Sequence, residues 1–236
     1  MVLTSLFDGR LEPLTYSIGF LSAPPERVVR AARWLYFRWP DAWRRVAVLD
    51  CGLEEALLQL QPLEGFLHPR VLVASTALNG WSAVFNGRIH GLGGRGLSVR
   101  LSRALRVPGY FVAAAPPASD PEHFPGFRQF YVLGPQTGRD HVRAVWVGEE
   151  EDVGRWHFGT DGEVQPYEDV EAYRRRRRTD RLTERMLVDY AAAVGLRPWE
   201  DSFYRPPFHL ITSLRLGRNR FQRTLAQMRT EMKLDE

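Results

Sequence analysis

Apolar and polar residues alternate over short runs through most of this chain, and in a few stretches the apolar positions recur every three or four residues instead. The first pattern predicts strands and the second helices. Residues 14–21 read as a strand. Pro24, Pro25 and Glu26 then open an amphipathic helix carrying Val28, Val29, Ala32, Leu35 and Tyr36, with proline in its first turn. A second strand is expected over 46–51 and a short helix over 53–60, stopped by Pro62. From residue 71 strands dominate. Runs 71–77 and 81–85 flank Asn79-Gly80, a strong hairpin signal, and Asn86-Gly87 follows at once. Helical spacing returns at Leu97, Leu101, Ala104 and Leu105, and residues 110–115 are again a strand.

Residues 116–127 hold four prolines and read as a loop. Beyond it, 127–133, 142–147 and 156–164 suggest an antiparallel meander, with Asp161-Gly162 as a hairpin turn in the last segment. A long helix is then expected from about 170 to 194, ended by Gly195 and Pro198. A late strand at 208–214 and a terminal helix at 218–233 complete the pattern. The fold class these elements imply is α+β, with a mostly antiparallel sheet and the long helix packed on one face. We read residues 1–236 as one domain, with 215–236 as a possible helical appendage.

The segment 173–187, YRRRRRTDRLTERML, stands out because charge interrupts the expected apolar stripe. On a helix, Val170, Tyr173, Arg177, Asp180, Met186 or Leu187, Tyr190 and Val194 would face the body. Successive residues turn by about 100°, so Arg174 to Arg178 sweep the whole circumference and one of them must point inward. Asp180 is its natural partner, with the Tyr173 hydroxyl placed to join them. Glu171 with Arg175 and Arg185 with Asp189 are spaced as surface pairs.

Composition adds few constraints. The 236 residues are 44% hydrophobic and 25% charged, as in a folded domain. Cys51 is the single cysteine, so no intrachain disulfide forms, and a buried strand-end thiol is its expected state. Neither a secretion signal nor an apolar run of about 20 residues is present, and the expected location is the cytoplasm without membrane contact. Lys233 is the sole lysine among 32 basic residues, a bias that a G+C-rich genome produces by itself and that lowers the weight of any single arginine. The charge is nevertheless segregated: residues 1–116 carry +5, 117–172 carry −8 and 173–236 carry +7.

Catalytic signatures are sparse. GLGGRG at 91–96 matches a dinucleotide-binding pattern, but Ser82, Asn86 and Arg88 break the preceding strand, and no acidic ribose ligand follows where one is needed. His68, His90, His123, His141, His157 and His209 have no metal-ligand spacing, and no nucleophile elbow occurs. Neither a cofactor nor a metal is expected. The candidate partner or anion site is Tyr173, Arg176, Arg177, Asp180, Arg181 and Trp156. Arg176, Arg178 and Arg181, continued by Arg215, Arg218, Arg220 and Arg223, offer a nucleic-acid alternative without any fold-specific motif. An enzyme pocket lined by Tyr173, Arg177, Asp180 and Trp156 is a third reading.

Five phrases resemble a family of soluble bacterial proteins of actinobacterial type: LEEALLQLQPL (53–63), GWSAVFNG (80–87), GRWHFGTDG (154–162), the Tyr173, Arg176, Arg177, Asp180, Arg181 pattern, and WEDSFY (199–204). The likeness covers about residues 53–204 and brings no established activity, so no residue inherits a role from it. In size and style such chains are similar to immunity-type or accessory binding proteins. The function expected is therefore non-enzymatic binding of another macromolecule, a protein first and nucleic acid second. The surface expected to do it joins the acidic meander to the arginine helix.

Overall fold

The computed structural model describes residues 4–37, 43–65, 70–89, 94–116, 126–135, 138–149, 155–214 and 222–235. Eleven strands and five α-helices are defined among them. In chain order these are β1 (Ser17–Leu21), α1 (Pro25–Phe37), β2 (Trp43–Leu49), α2 (Leu53–Leu58), β3 (Leu63–Glu64), β4 (Val71–Thr76), β5 (Ser82–Asn86) and α3 (Gly94–Leu105). There follow β6 (Gly109–Ala115), β7 (Phe127–Leu133), β8 (Arg143–Glu149), β9 (Trp156–Gly162), α4 (Glu184–Ala193), β10 (Tyr204–Leu214), β11 (Gln222–Arg223) and α5 (Leu225–Glu231). Nine strands form one sheet in the order β2-β10-β4-β5-β1-β6-β7-β8-β9, with every pair antiparallel. β3 and β11 make a separate two-stranded ribbon. The α+β class with a large antiparallel sheet thus matches the reading of the sequence.

Strand alternation feeds two cores, one on each side of the central sheet. Val71, Val73, Val84, Leu21 and Ile211 pack with Val28, Val29 and Ala32 of α1 and with Leu97 and Leu101 of α3. Their neighbours Leu72, Ala74, Ala83, Phe85, Phe20 and Leu210 belong to a larger core that includes α2, α4 and α5. Because both faces of the centre are covered, β1 and β5 are buried at every position, which is why their polar residues Ser17, Ser82 and Asn86 sit inside. A Cβ at Gly19 would collide with Ser98 Oγ, so α3 approaches the β1 backbone as closely as a glycine permits.

The largest departure from the sequence pattern is the expected long helix. No helix runs from 170 to 194; instead two 3-10 turns, Ala172–Arg174 and Arg178–Asp180, precede the ten-residue α4. Arg175 and Arg177 leave helical geometry at ψ 147° and 128°. Five consecutive arginines place like charges at i, i+3 and i, i+4, each such pair disfavouring a helix by a few tenths of a kcal/mol. Thr183 then starts α4 as its N-cap, accepting a hydrogen bond from Met186 N at 3.2 Å. The longest helix described is α1, at 13 residues.

Smaller differences follow the same logic. The Asn79-Gly80 hairpin is present as β4–β5, with Gly80 at φ +76°. Asp161-Gly162 instead ends the edge strand β9, opposite Ala144 and Arg143, and no further strand returns from it. The terminal helix is short, and its expected start at 218–221 lies outside the described residues. α5 buries Leu225 and Met228, while Arg229 Nη1 donates to Gly9 O at 2.6 Å, which fastens the C-terminal segment to the N-terminal turn. No described helix is long and apolar enough to cross a membrane.

Candidate functional site: a basic groove between two helices

The arginine run, first, is largely tied to its own surroundings. Arg174 pairs with Glu171 at 3.1 Å and Arg175 lies 3.7 Å from Asp169, while Arg175 Nη1 also donates to Asp180 O. Arg178 Nη1 donates to Trp156 O at 2.7 Å, and Arg181 donates to Arg175 O and lies over the Phe158 ring. From β7, Arg128 reaches across to donate to Leu182 O at 2.7 Å and Thr179 O at 3.2 Å, with its guanidinium 5.5 Å from the Trp156 ring centre. Burial pulls the Arg128 pKa down, against the opposing fields of Glu184 and Asp180. Trp156 is thus a wall and an acceptor for arginines of its own chain.

The expected inward pair is absent. Arg177 is exposed and forms no ion pair with Asp180; their link is backbone only, Asp180 N donating to Arg177 O at 3.2 Å. Arg176 is exposed as well. The buried pair of this region is Arg143 with Glu168, at 2.8 and 2.6 Å through two nitrogens, with side chains 4% and 1% exposed. Tyr173 does join a carboxylate, but it is Glu168, at 2.8 Å; its hydroxyl also lies 3.0 Å from that of Tyr190, which accepts from Asp169 N. Burial drives the Tyr173 and Tyr190 hydroxyls up in pKa, and both stay protonated. Burial alone would lower the Arg143 pKa, but the Glu168 carboxylate outweighs it and the net shift is upward. Both carboxylate oxygens of Glu168 are satisfied, so this cluster fastens residues 163–173 onto β8 and leaves no group free for a ligand. A signal for it was present: Arg143 shares a strand face with Val145 and Val147.

The charge segregation seen along the sequence is offset in part on folding. Asp140 pairs with Arg103, Asp161 with His141, Glu168 with Arg143, Asp169 with Arg175 and Glu171 with Arg174. A further set of unpaired arginines lies elsewhere.

α1 and α3 lie side by side on one face of the sheet. Their apolar stripes are consumed inward, so the outward faces hold what remains: Arg27, Arg30, Arg33 and Trp34 on α1, and Arg95, Arg100 and Arg103 on α3, with Arg106 just after it. Glu26 is the one carboxylate on either helix. Between them runs a groove of about 540 Å³ with four arginines, Arg27, Arg30, Arg103 and Arg106, over an apolar floor of Ala31, Ala104 and Leu105. Trp34 lines it too and is 60% exposed. Among the described residues Arg27, Arg30, Arg33 and Arg106 have no side-chain hydrogen bond or ion pair. Arg103 is held on one side only, by Arg139 O and by Asp140 at 3.2 Å.

Arg106 carries a backbone cost as well. α3 ends in a Schellman arrangement, Val107 N donating to Ser102 O at 3.1 Å and Arg106 N to Arg103 O at 3.2 Å. The position after such an end takes left-handed geometry and usually glycine; here Arg106 occupies it at φ 55°. An L-residue in that region costs about 1–2 kcal/mol. A strained arginine at the rim of an arginine-lined groove directs attention to the side chain rather than to the turn.

A second cleft, about 560 Å³, lies between the N-terminal turn and the loop after α4, lined by Phe7, Asp8, Arg10, Arg197, Trp199 and Glu200 among others. Its signs are mixed and its arginines are taken, Arg10 by Glu54 at 2.8 Å and Arg197 by Glu200 at 3.6 Å. Neither this cleft nor the α1–α3 groove is lined by Tyr173, Arg177, Asp180 or Trp156. The glycine-rich stretch falls partly outside the described residues; Gly94 opens α3, where a Cβ would sit 2.9 Å from Asn86 Nδ2, a packing role. Among the described residues no group of three or more His, Cys, Asp or Glu is placed to hold a metal ion.

A scan against protein-family models and searches of curated proteins and of solved structures returned no match.

Proposed function

We propose that this chain is a non-enzymatic binding protein that engages an anionic macromolecule on its α1–α3 face. One observation carries the reading: four arginines converge on one groove with no carboxylate among its lining residues, in a protein whose other arginines are mostly spoken for by its own acids and carbonyls. Like charges held together oppose the folded state, and a partner of opposite sign relieves that opposition and speeds encounter. The binding face differs from the Tyr173–Arg181 surface expected from sequence, where Arg174 and Arg175 pair with acids, Arg178 and Arg181 donate to backbone carbonyls, and Arg176 and Arg177 are exposed. An acidic protein surface of the immunity or accessory type and a nucleic acid both satisfy this requirement of sign.

The test is retention on immobilised heparin, a polyanion without bases. Wild type is expected to elute at higher salt than the variant carrying Arg27→Ala, Arg30→Ala and Arg106→Ala. Coincident elution of the two removes the α1–α3 face as the binding site.

A further inference from the structure

We infer that the anionic partner is a single-stranded nucleic acid, its phosphates held by Arg27, Arg30, Arg103 and Arg106 and one base stacked on Trp34; this rests on the α1–α3 reading above. Arg27, Arg30, Ala31 and Trp34 recur at three- and four-residue spacing, so they form one stripe along α1 facing α3. The stripe spans about 10 Å of helix axis at about 1.5 Å per residue. Guanidiniums on both walls meet a backbone that is negative at every step, while the indole at one end presents a flat apolar face.

Two features favour this occupant over an anionic membrane and over a duplex. An anionic membrane needs an apolar face to insert, yet the apolar faces of α1 and α3 are consumed by Val28, Val29, Ala32, Leu97 and Leu101 in the core, leaving Trp34 alone at the groove with its large exposed ring. A duplex hides its bases from a stacking side chain; a single strand exposes them, and an aromatic beside arginines is the arrangement that grips it without reading sequence. Arg106 supports the same conclusion, since its left-handed backbone is kept where glycine would fit without strain.

The experiment uses the full chain and a fluorescently labelled deoxythymidine oligomer of about ten nucleotides, followed by anisotropy across a salt series. With four phosphates neutralised, log K against log salt should have a slope of about −3, at about −0.7 per phosphate for a single strand. Trp34→Ala should weaken the single strand about fivefold to a hundredfold, and Trp34→Phe should restore most of that affinity, because the stack rather than the indole N–H is what binds. Arg106→Gly should lower the slope by about 0.7 while raising Tm, so its weaker binding is not a failure to fold. The inference is overturned if Trp34→Ala changes nothing, if a duplex of equal length binds more tightly, or if polyglutamate or phosphatidylserine vesicles compete as well as the oligomer at equal charge. An indifferent Trp34 with the heparin difference preserved would overturn this inference and leave the α1–α3 reading standing, whereas failure of both would remove the α1–α3 reading with it.

Discussion

Two arginine populations divide this molecule. Around β7–β9, several arginines are anchors: Arg143 closes on Glu168, Arg128 spans to the carbonyls of Leu182 and Thr179, and Arg178 reaches Trp156 O. On α1 and at the end of α3, arginines of the same chemistry mostly meet no acceptor, and they surround a groove. In the run that is most conspicuous in the sequence, the fold engages Arg174, Arg175 and Arg178 and leaves Arg176 and Arg177 exposed. The face left with charge to spare consists of single arginines dispersed over two ordinary amphipathic helices. Density of charge along a chain is therefore a poor guide to charge available at a surface; what counts is how many acids and carbonyls folding brings to each guanidinium.

The division is most vulnerable at its most anchored member. Arg143→Met leaves the Glu168 carboxylate buried without its partner and should cost about 3–5 kcal/mol in urea unfolding, whereas adding Glu168→Leu should restore much of that stability. A single-variant cost below about 1 kcal/mol would remove the anchoring role. Next in size, Thr183→Ala removes the cap that separates the arginine turns from α4 and should cost about 1 kcal/mol by the same measurement. Arg106→Gly should work in the opposite direction. Relief of about 1–2 kcal/mol of left-handed strain outweighs the extra freedom of an unfolded glycine, about 0.5–1 kcal/mol, for a net gain of about 0.5–1 kcal/mol. A decrease in stability there would mean that the Arg106 side chain anchors the fold and belongs with the other population. Smallest of all, Arg176→Ala and Arg177→Ala together should change stability by less than about 0.5 kcal/mol, as exposed charges do, and should leave binding at the groove intact.

Much of the sheet was legible in the sequence because alternation is a local signal. β4 to β8 fall close to their expected ranges, and the Asn79-Gly80 turn marks the β4–β5 hairpin. The late strand was legible too, though not its place between β2 and β4, which depends on pairing across more than a hundred residues. The long helix misled because most of its expected inward positions are buried or half-buried: Tyr173, Met186, Leu187 and Tyr190 pack inward, but from a pair of turns and a short helix, while Val170 is exposed. Thr183 with Glu184 offered a start signal that the continuous stripe concealed. The basic groove was out of reach of any one-dimensional reading. On α1, Arg27 and Arg30 look like a solvated helix face, and nothing in the sequence places Arg103 and Arg106, more than seventy residues later, on the opposite wall.

The two populations are separated most cleanly by the salt slopes of oligonucleotide binding in two triple variants of equal charge change. One removes Arg27, Arg30 and Arg106; the other removes Arg174, Arg176 and Arg177; both substitute alanine. At about 0.7 for each phosphate no longer neutralised, the first should flatten the slope by about 2, while the second should stay within about 0.5 of wild type. Equal flattening by both, or a larger effect from the second, would contradict the assignment of free charge to the α1–α3 face.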